Sequence, residues 1–221
     1  GMAPGRQVGL TVMGTWSDWL FSYAAGVYNG FERHQNFHEG YIQNGGMDGN
    51  RFSKLAYVLR LGLEPLGAVG LDAADFEGGD FRIGHGVAAY YNDGATTTAM
   101  GAEVDVHVKV SGFHLLAEYI WDHASPTANP TTTDTIPVEL TRMMAAGEVG
   151  YFMKDLNLGI TARGEWVDDN TEFDNSGDFL AITGGLQYYW HENHLKAQLD
   201  YCHRQELSGA SLDNDSVILQ L

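Results

Sequence analysis

The chain has 221 residues, of which 44% are apolar and 12% aromatic, with 28 glycines, 5 prolines and a formal charge of −17. Such a length and apolar content exclude a disordered tail and leave room for one domain with a substantial core, or for one barrel. The acidity argues against nucleic acid as a partner, and the lone Cys202 excludes an intrachain disulfide and a cysteine-based zinc site.

Read from the N-terminus, apolar and polar residues alternate with period two, the spacing of a half-buried strand. Strands are predicted at Val8–Trp16 and Leu20–Asn29. In Phe52–Leu63, Leu55, Tyr57, Leu59, Leu61 and Leu63 share one face, and Lys54, Ala56, Val58, Arg60 and Gly62 the other. Phe81–Tyr91 sets Phe81, Ile83, Val87 and Ala89 against Arg82, Gly84, Gly86 and Tyr90. The strictest alternation is Ala99–Val110, where Met100, Ala102, Val104, Val106, Val108 and Val110 take turns with Gly101, Glu103, Asp105, His107 and Lys109. A helix would scatter those valines around its whole circumference. Gly112–Asp122 sets Phe113, Leu115, Ala117, Tyr119 and Trp121 against His114, Glu118 and Asp122. Thr141–Met153 carries Arg142 and Glu148 on its polar face, and Asn157–Val167 carries Thr161, Arg163 and Glu165. Phe179–Trp190, His194–Arg204 (with Lys196, Gln198, Asp200 and Arg204 polar) and Ser216–Leu221 bring the total to about eleven.

Strands of about ten residues span the hydrocarbon layer of a membrane when tilted, whereas strands of soluble sandwiches average five or six. No run of about 18 apolar residues occurs, so no transmembrane helix is expected; a barrel needs none, because its lipid face takes alternate residues. The links alternate in length. Ser17–Trp19, Ser111–Gly112, Lys154–Leu156 and His191–Asn193 are short; Gly30–Arg51, Asn92–Thr98, His123–Val138, Asp168–Asp178 and Ser208–Asp215 are longer and polar. This is the pattern of periplasmic turns and outside loops, and only Glu64–Asp80 is too long for the short side. The expected fold is therefore an all-β, antiparallel, up-and-down transmembrane β-barrel, with residues 1–221 as a single domain. On this parity the first and last strands both run toward the periplasm, so strands are expected to be missing upstream. No signal peptide is legible, and Gly1 before Met2 reads as the scar of a cleaved tag.

Charge follows the same alternation. Arg60, Arg82, Lys109, Arg142, Arg163, Lys196 and Arg204 fall on polar strand faces with Glu103, Asp105, Glu118, Glu148 and Glu165. Charges facing lipid are costly, so these twelve residues are the candidate lining of a wet lumen. Cross-strand pairing that merely fills a closed barrel is the plainer account of any one of them. Together they also describe a porin constriction, whose transverse field selects solutes. The intervening carboxylates argue against a purely anion-selective pore.

Other constellations are weaker. His34 and His38, and His191 and His194, have ligand-like spacing but lie in predicted loops or turns, so no metal site is expected. The acidic run Asp168–Asp178 has calcium-type oxygens without the EF-hand order, and reads as a solvated loop. No catalytic residue is assigned: Glu103 and Asp105 are neighbours on one strand face, and no Gly-x-Ser-x-Gly motif occurs. No cofactor is expected. Trp16, Trp19, Trp121, Trp166 and Trp190 fall near strand ends, as an interfacial girdle predicts; Tyr28, Tyr90, Tyr91, Tyr188 and Tyr189 fit the same belts.

The stretch Phe21-Ser-Tyr-Ala-Ala-Gly-Val-Tyr-Asn-Gly30 resembles a hairpin half in the phosphate-selective porin O and P family. Leu63-Glu-Pro-Leu-Gly67 with Gly79-Asp-Phe-Arg-Ile-Gly-His-Gly-Val-Ala-Ala-Tyr-Tyr-Asn92 is similar to that family's pattern at a periplasmic turn and the following strand, which accounts for the one long link on the short side. The resemblance implies a sixteen-stranded, often trimeric porin of the Gram-negative bacterial outer membrane, of which this chain would be the C-terminal portion. No phosphate-binding residue carries over, because the family's arginine and lysine clusters come largely from segments not represented here. The expected function is ion transport in the broad sense: passive diffusion of small hydrophilic solutes or anions, phosphate among them. The expected partners are the lipid bilayer, those solutes or inorganic anions, and like chains in a homotrimer. Two rivals remain open: a non-conducting structural or adhesive outer-membrane barrel, and a soluble ligand-binding β-barrel.

Overall fold

The computed structural model describes residues 8–17, 20–28, 55–70, 72–93, 97–126, 139–172, 174, 177–209 and 213–221. They form one sheet of eleven antiparallel strands in sequence order. The strands are β1 (Gly9–Trp16), β2 (Phe21–Tyr28), β3 (Ala56–Leu63), β4 (Arg82–Asp93), β5 (Thr97–Val110), β6 (Phe113–Pro126), β7 (Leu140–Met153), β8 (Leu158–Asp168), β9 (Phe179–His191), β10 (Leu195–Glu206) and β11 (Ser216–Gln220). The sheet is not closed: β1 and β11 are its edges. His34, His38, Trp19 and the predicted link Gly30–Arg51 lie outside the described residues.

The tight turns explain the meander. Ser111 and Gly112 both have positive φ, 50° and 89°, the mirror-image turn whose twist matches that of its flanking strands. Each of the other short links also uses a left-handed residue: Ser17, Asn157 and Glu192. β6 runs past its predicted end at Asp122 to Pro126. His123, Ala124 and Ser125 read as loop by composition, yet they continue the ladder against β5 and β7. Thr141 Oγ1 and Ser125 Oγ take the two nitrogens of the His123 ring, at 2.8 and 3.0 Å.

Directly opposed residues share a face, so the register carries each strand's alternation across the sheet. One row runs Gly86, Asp105, Glu118, Ala146, Glu165, Ala181, Arg204 from β4 to β10. The opposite face is apolar. Among the described strand residues it carries no Lys, Arg or Glu, and its two Asp, Asp93 and Asp168, are the last residues of β4 and β8. Three histidines, His85, His123 and His203, also lie there.

Burial is inverted relative to a soluble protein. On the apolar face Val104 is 48% exposed, Leu186 51% and Ile182 55%; on the charged face Lys109 is 4% exposed, Asp122 2% and Arg142 6%. A flat, bare sheet would expose both faces equally. Here several charged-face residues are buried while the apolar face stays exposed on every strand.

Candidate functional site

All twelve residues predicted as lining lie on the charged face, from Arg60 on β3 to Arg204 on β10. Most of the cations lie beside one or two acids.

At mid-height, Arg60 reaches across β4 to β5, with Nη1 3.2 Å from Glu103 Oε1 and Nη2 2.6 Å from Asp105 Oδ2. The reach requires small residues on β4. A Cβ at Gly86 would collide with both the Asp105 carboxylate and the Arg60 guanidinium. Arg163 on β8 is shared in the same way, 2.9 Å from Glu165 and 3.9 Å from Glu148. Glu148 also lies 3.3 Å from His114 Nε2. Glu118 stands between these two clusters, directly opposite Asp105 across the β5–β6 ladder. It makes no ion pair among the described residues.

Toward the long-link end, Arg142 and Asp122 form a buried pair, Nε donating at 3.0 Å with a second, shorter bond from Nη2. Asp122 was placed on the polar face by its spacing but left out of the lining set; its burial shows it to be the anchor of Arg142. On β10, Arg204 stacks its guanidinium 4.0 Å from the Phe179 ring centroid and places Nε 3.6 Å from Glu206. Lys196 lies over the Tyr189 ring at 5.9 Å. At the β11 edge, Asp215 accepts from the Tyr201 hydroxyl at 2.5 Å and lies 2.8 Å from His203 Nδ1, contacts that hold its carboxyl below the usual carboxylate range.

The segment between β3 and β4, the exception to the link pattern, folds over the charged face at the short-link end. Asp75, 1% exposed, is its latch: it accepts from Arg82 Nη2 at 2.5 Å, Gly112 N at 2.8 Å and Gly78 N at 3.2 Å. Arg82 is further tied by Glu77 at 2.9 Å and the Gly78 carbonyl at 3.1 Å. Phe76 enters an aromatic box with Phe152 of β7 and Tyr189 of β9, centroids 4.9 and 5.0 Å away. Asp72 accepts from Asn193 Nδ2 at 2.6 Å, in the β9–β10 turn. Val69 packs over Gly84, and Gly70 lies over the Lys109 ammonium. The strap therefore reaches from β4 to the far side of β9. Sequence periodicity missed Asp72, Asp75 and Phe76 as contributors; the anomalous length of the link was the one signal available.

The tryptophans Trp16, Trp121, Trp166 and Trp190 all lie on the apolar face, Trp16 and Trp190 at the short-link end and Trp121 and Trp166 toward the other. The expectation for the tyrosines needs correction. Tyr91 and Tyr188 share the apolar face, but Tyr28, Tyr90 and Tyr189 point to the charged side, because each is an even number of residues from a polar-face neighbour. Tyr28 bonds Thr11 Oγ1 there at 2.6 Å. No group of three or more metal-ligating side chains converges among the described residues. In the 168–178 loop, Asp168 and Asp178 accept backbone N–H bonds from Asn170 and Asp169, the ordinary work of turn aspartates.

Comparison with known proteins gives no matching family model, no matching curated protein and no matching solved structure, so the functional reading rests on the faces of the sheet themselves.

Proposed function

We propose that the protein is a transmembrane β-barrel of the bacterial outer membrane, through whose charged lumen small hydrophilic solutes diffuse passively. The observation that carries this reading is the inversion of the sheet. An apolar face exposed across every strand, free of Lys, Arg and Glu among the described strand residues, is rare in a soluble monomer, where contiguous apolar patches stay within a few hundred Å². Lipid is the solvent that face suits, and tryptophans toward its two ends suit the two interfaces. The charged face then surrounds water, which the pairing of its cations with nearby acids accommodates.

Strand direction constrains how the open sheet could close. In a meander of eleven, β1 and β11 run the same way, so joining them directly would make a parallel seam. An all-antiparallel barrel needs an odd number of further strands between them. The sixteen strands of the phosphate-selective porins that the sequence resembles would supply five, and a homotrimer is the corresponding assembly.

The strap over the short-link end favours one rival, a plugged barrel with a structural role, and conduction separates the two. A soluble ligand-binding barrel would enclose its apolar face, the reverse of the burial described above. No catalysis enters this reading.

Cys202 supplies the test without mutagenesis. It lies on the charged face, opposite Thr183 and in the row of Arg163. The protein in a planar bilayer is expected to pass current, and a charged, membrane-impermeant methanethiosulfonate is expected to label Cys202 and reduce that current. Folded, inserted protein that carries no current, or whose Cys202 is reached only by lipid-soluble reagents, would overturn the proposal.

A further inference from the structure

We propose that this conduit favours cations over anions and that Glu118 sets the preference; the inference rests on the reading of the charged face as a lumen. Two separate observations carry it, the engagement of the cations and the surplus of carboxylates.

Most of the cations are already engaged. Arg142 is buried against Asp122, and Arg82 is held by Asp75 and Glu77. Lys109 is buried beneath the strap. The three arginines that meet solvent, Arg60, Arg163 and Arg204, each face one or two carboxylates. An oxyanion such as phosphate is held by several guanidinium forks converging on it. Among the described residues the forks of Arg60, Arg82, Arg142 and Arg163 converge on protein carboxylates instead, and that of Arg204 stacks on Phe179.

The carboxylates are in surplus in the partly exposed central belt. In the central belt of β3 to β8, five acids (Glu103, Asp105, Glu118, Glu148 and Glu165) meet two guanidiniums (Arg60 and Arg163), a surplus of three. Glu118 is the acid without a cation. Its direct partner is Asp105, and on the other side Ala146 separates it from Glu165. Like charges opposed across a ladder are unfavourable. A mobile cation relieves that repulsion, and an anion adds to it.

The experiment is the zero-current potential of the purified protein in a planar bilayer under a potassium chloride gradient. The wild type is expected to reverse on the potassium side. Glu118→Gln is expected to lower the potassium-to-chloride permeability ratio about threefold, the order of effect of one unit charge on a monovalent ion several ångströms away in water. Arg163→Gln is expected to raise it. Heat-modifiable gel migration checks that each variant folds. Chloride preference in the wild type, or an unchanged ratio in Glu118→Gln, would overturn this inference while the conduit reading stands. Folded, inserted protein without current overturns both.

Discussion

Asp122 and Arg142 face each other between β6 and β7 with almost no contact with solvent. Two charges removed from water are stable only as a pair, so deleting one leaves the other uncompensated. Asp122→Ala is expected to cost about 3 kcal/mol in urea-induced unfolding; a change within error of wild type would show that Arg142 finds another acid. The exposed pairs are of a different kind. Arg60 is nearly half exposed, and its bonds to Glu103 and Asp105 contribute little to stability after screening. Their consequence is local charge, which is where the Glu118→Gln and Arg163→Gln experiments look. Sequence spacing assigned all of these residues to the correct face, since parity alone decides it. Their pairing was not legible: Arg60 bonds a strand two positions away, over Gly86, and period-two alternation carries no information about which neighbour a long side chain crosses.

At the scale of elements, β5 was the most legible because six alternating apolar residues from Met100 to Val110 fit no other geometry. β6 was read short because His123 and Ser125 resemble loop residues, and only the ladder with β5, which pairs them with Met100 and Thr98, shows why they continue the strand. The strap was the largest omission. Its contacts are between residues far apart in sequence, Asp72 with Asn193 and Phe76 with Phe152 and Tyr189, and nothing local announces them. Its length against the link pattern marked it as exceptional without saying where it goes. Phe76 is the apolar anchor of this element, in edge-to-face contact with two rings. Phe76→Ala is expected to lower stability by about 2 kcal/mol, less than a full core truncation because Phe76 is only partly buried. Amide hydrogen exchange should rise in residues 72–80 and stay unchanged in β5. Unchanged exchange in the strap would mean that Asp75 alone holds it.

At the scale of the whole molecule, the alternation of single residues becomes a division of faces. Eleven strands in register turn period two into two continuous faces, one apolar and exposed, the other carrying the ionisable residues. Part of the formal charge of −17 lies along the ionisable face, where Glu103, Asp105, Glu118, Glu148 and Glu165 stand on neighbouring strands. The odd number of strands leaves two edges pointing the same way, and exposed edges of that kind invite pairing with further strands. The central claim is that the apolar face meets lipid while the charged face meets water. The most direct test is spin-label accessibility along β5, with nitroxides placed singly at Ala102, Glu103, Val104, Asp105 and Val106 in protein reconstituted into lipid vesicles. The account predicts high oxygen accessibility at positions 102, 104 and 106 and high accessibility to a water-soluble nickel chelate at 103 and 105. Uniform access of the nickel chelate to all five positions, or the opposite alternation, would contradict it.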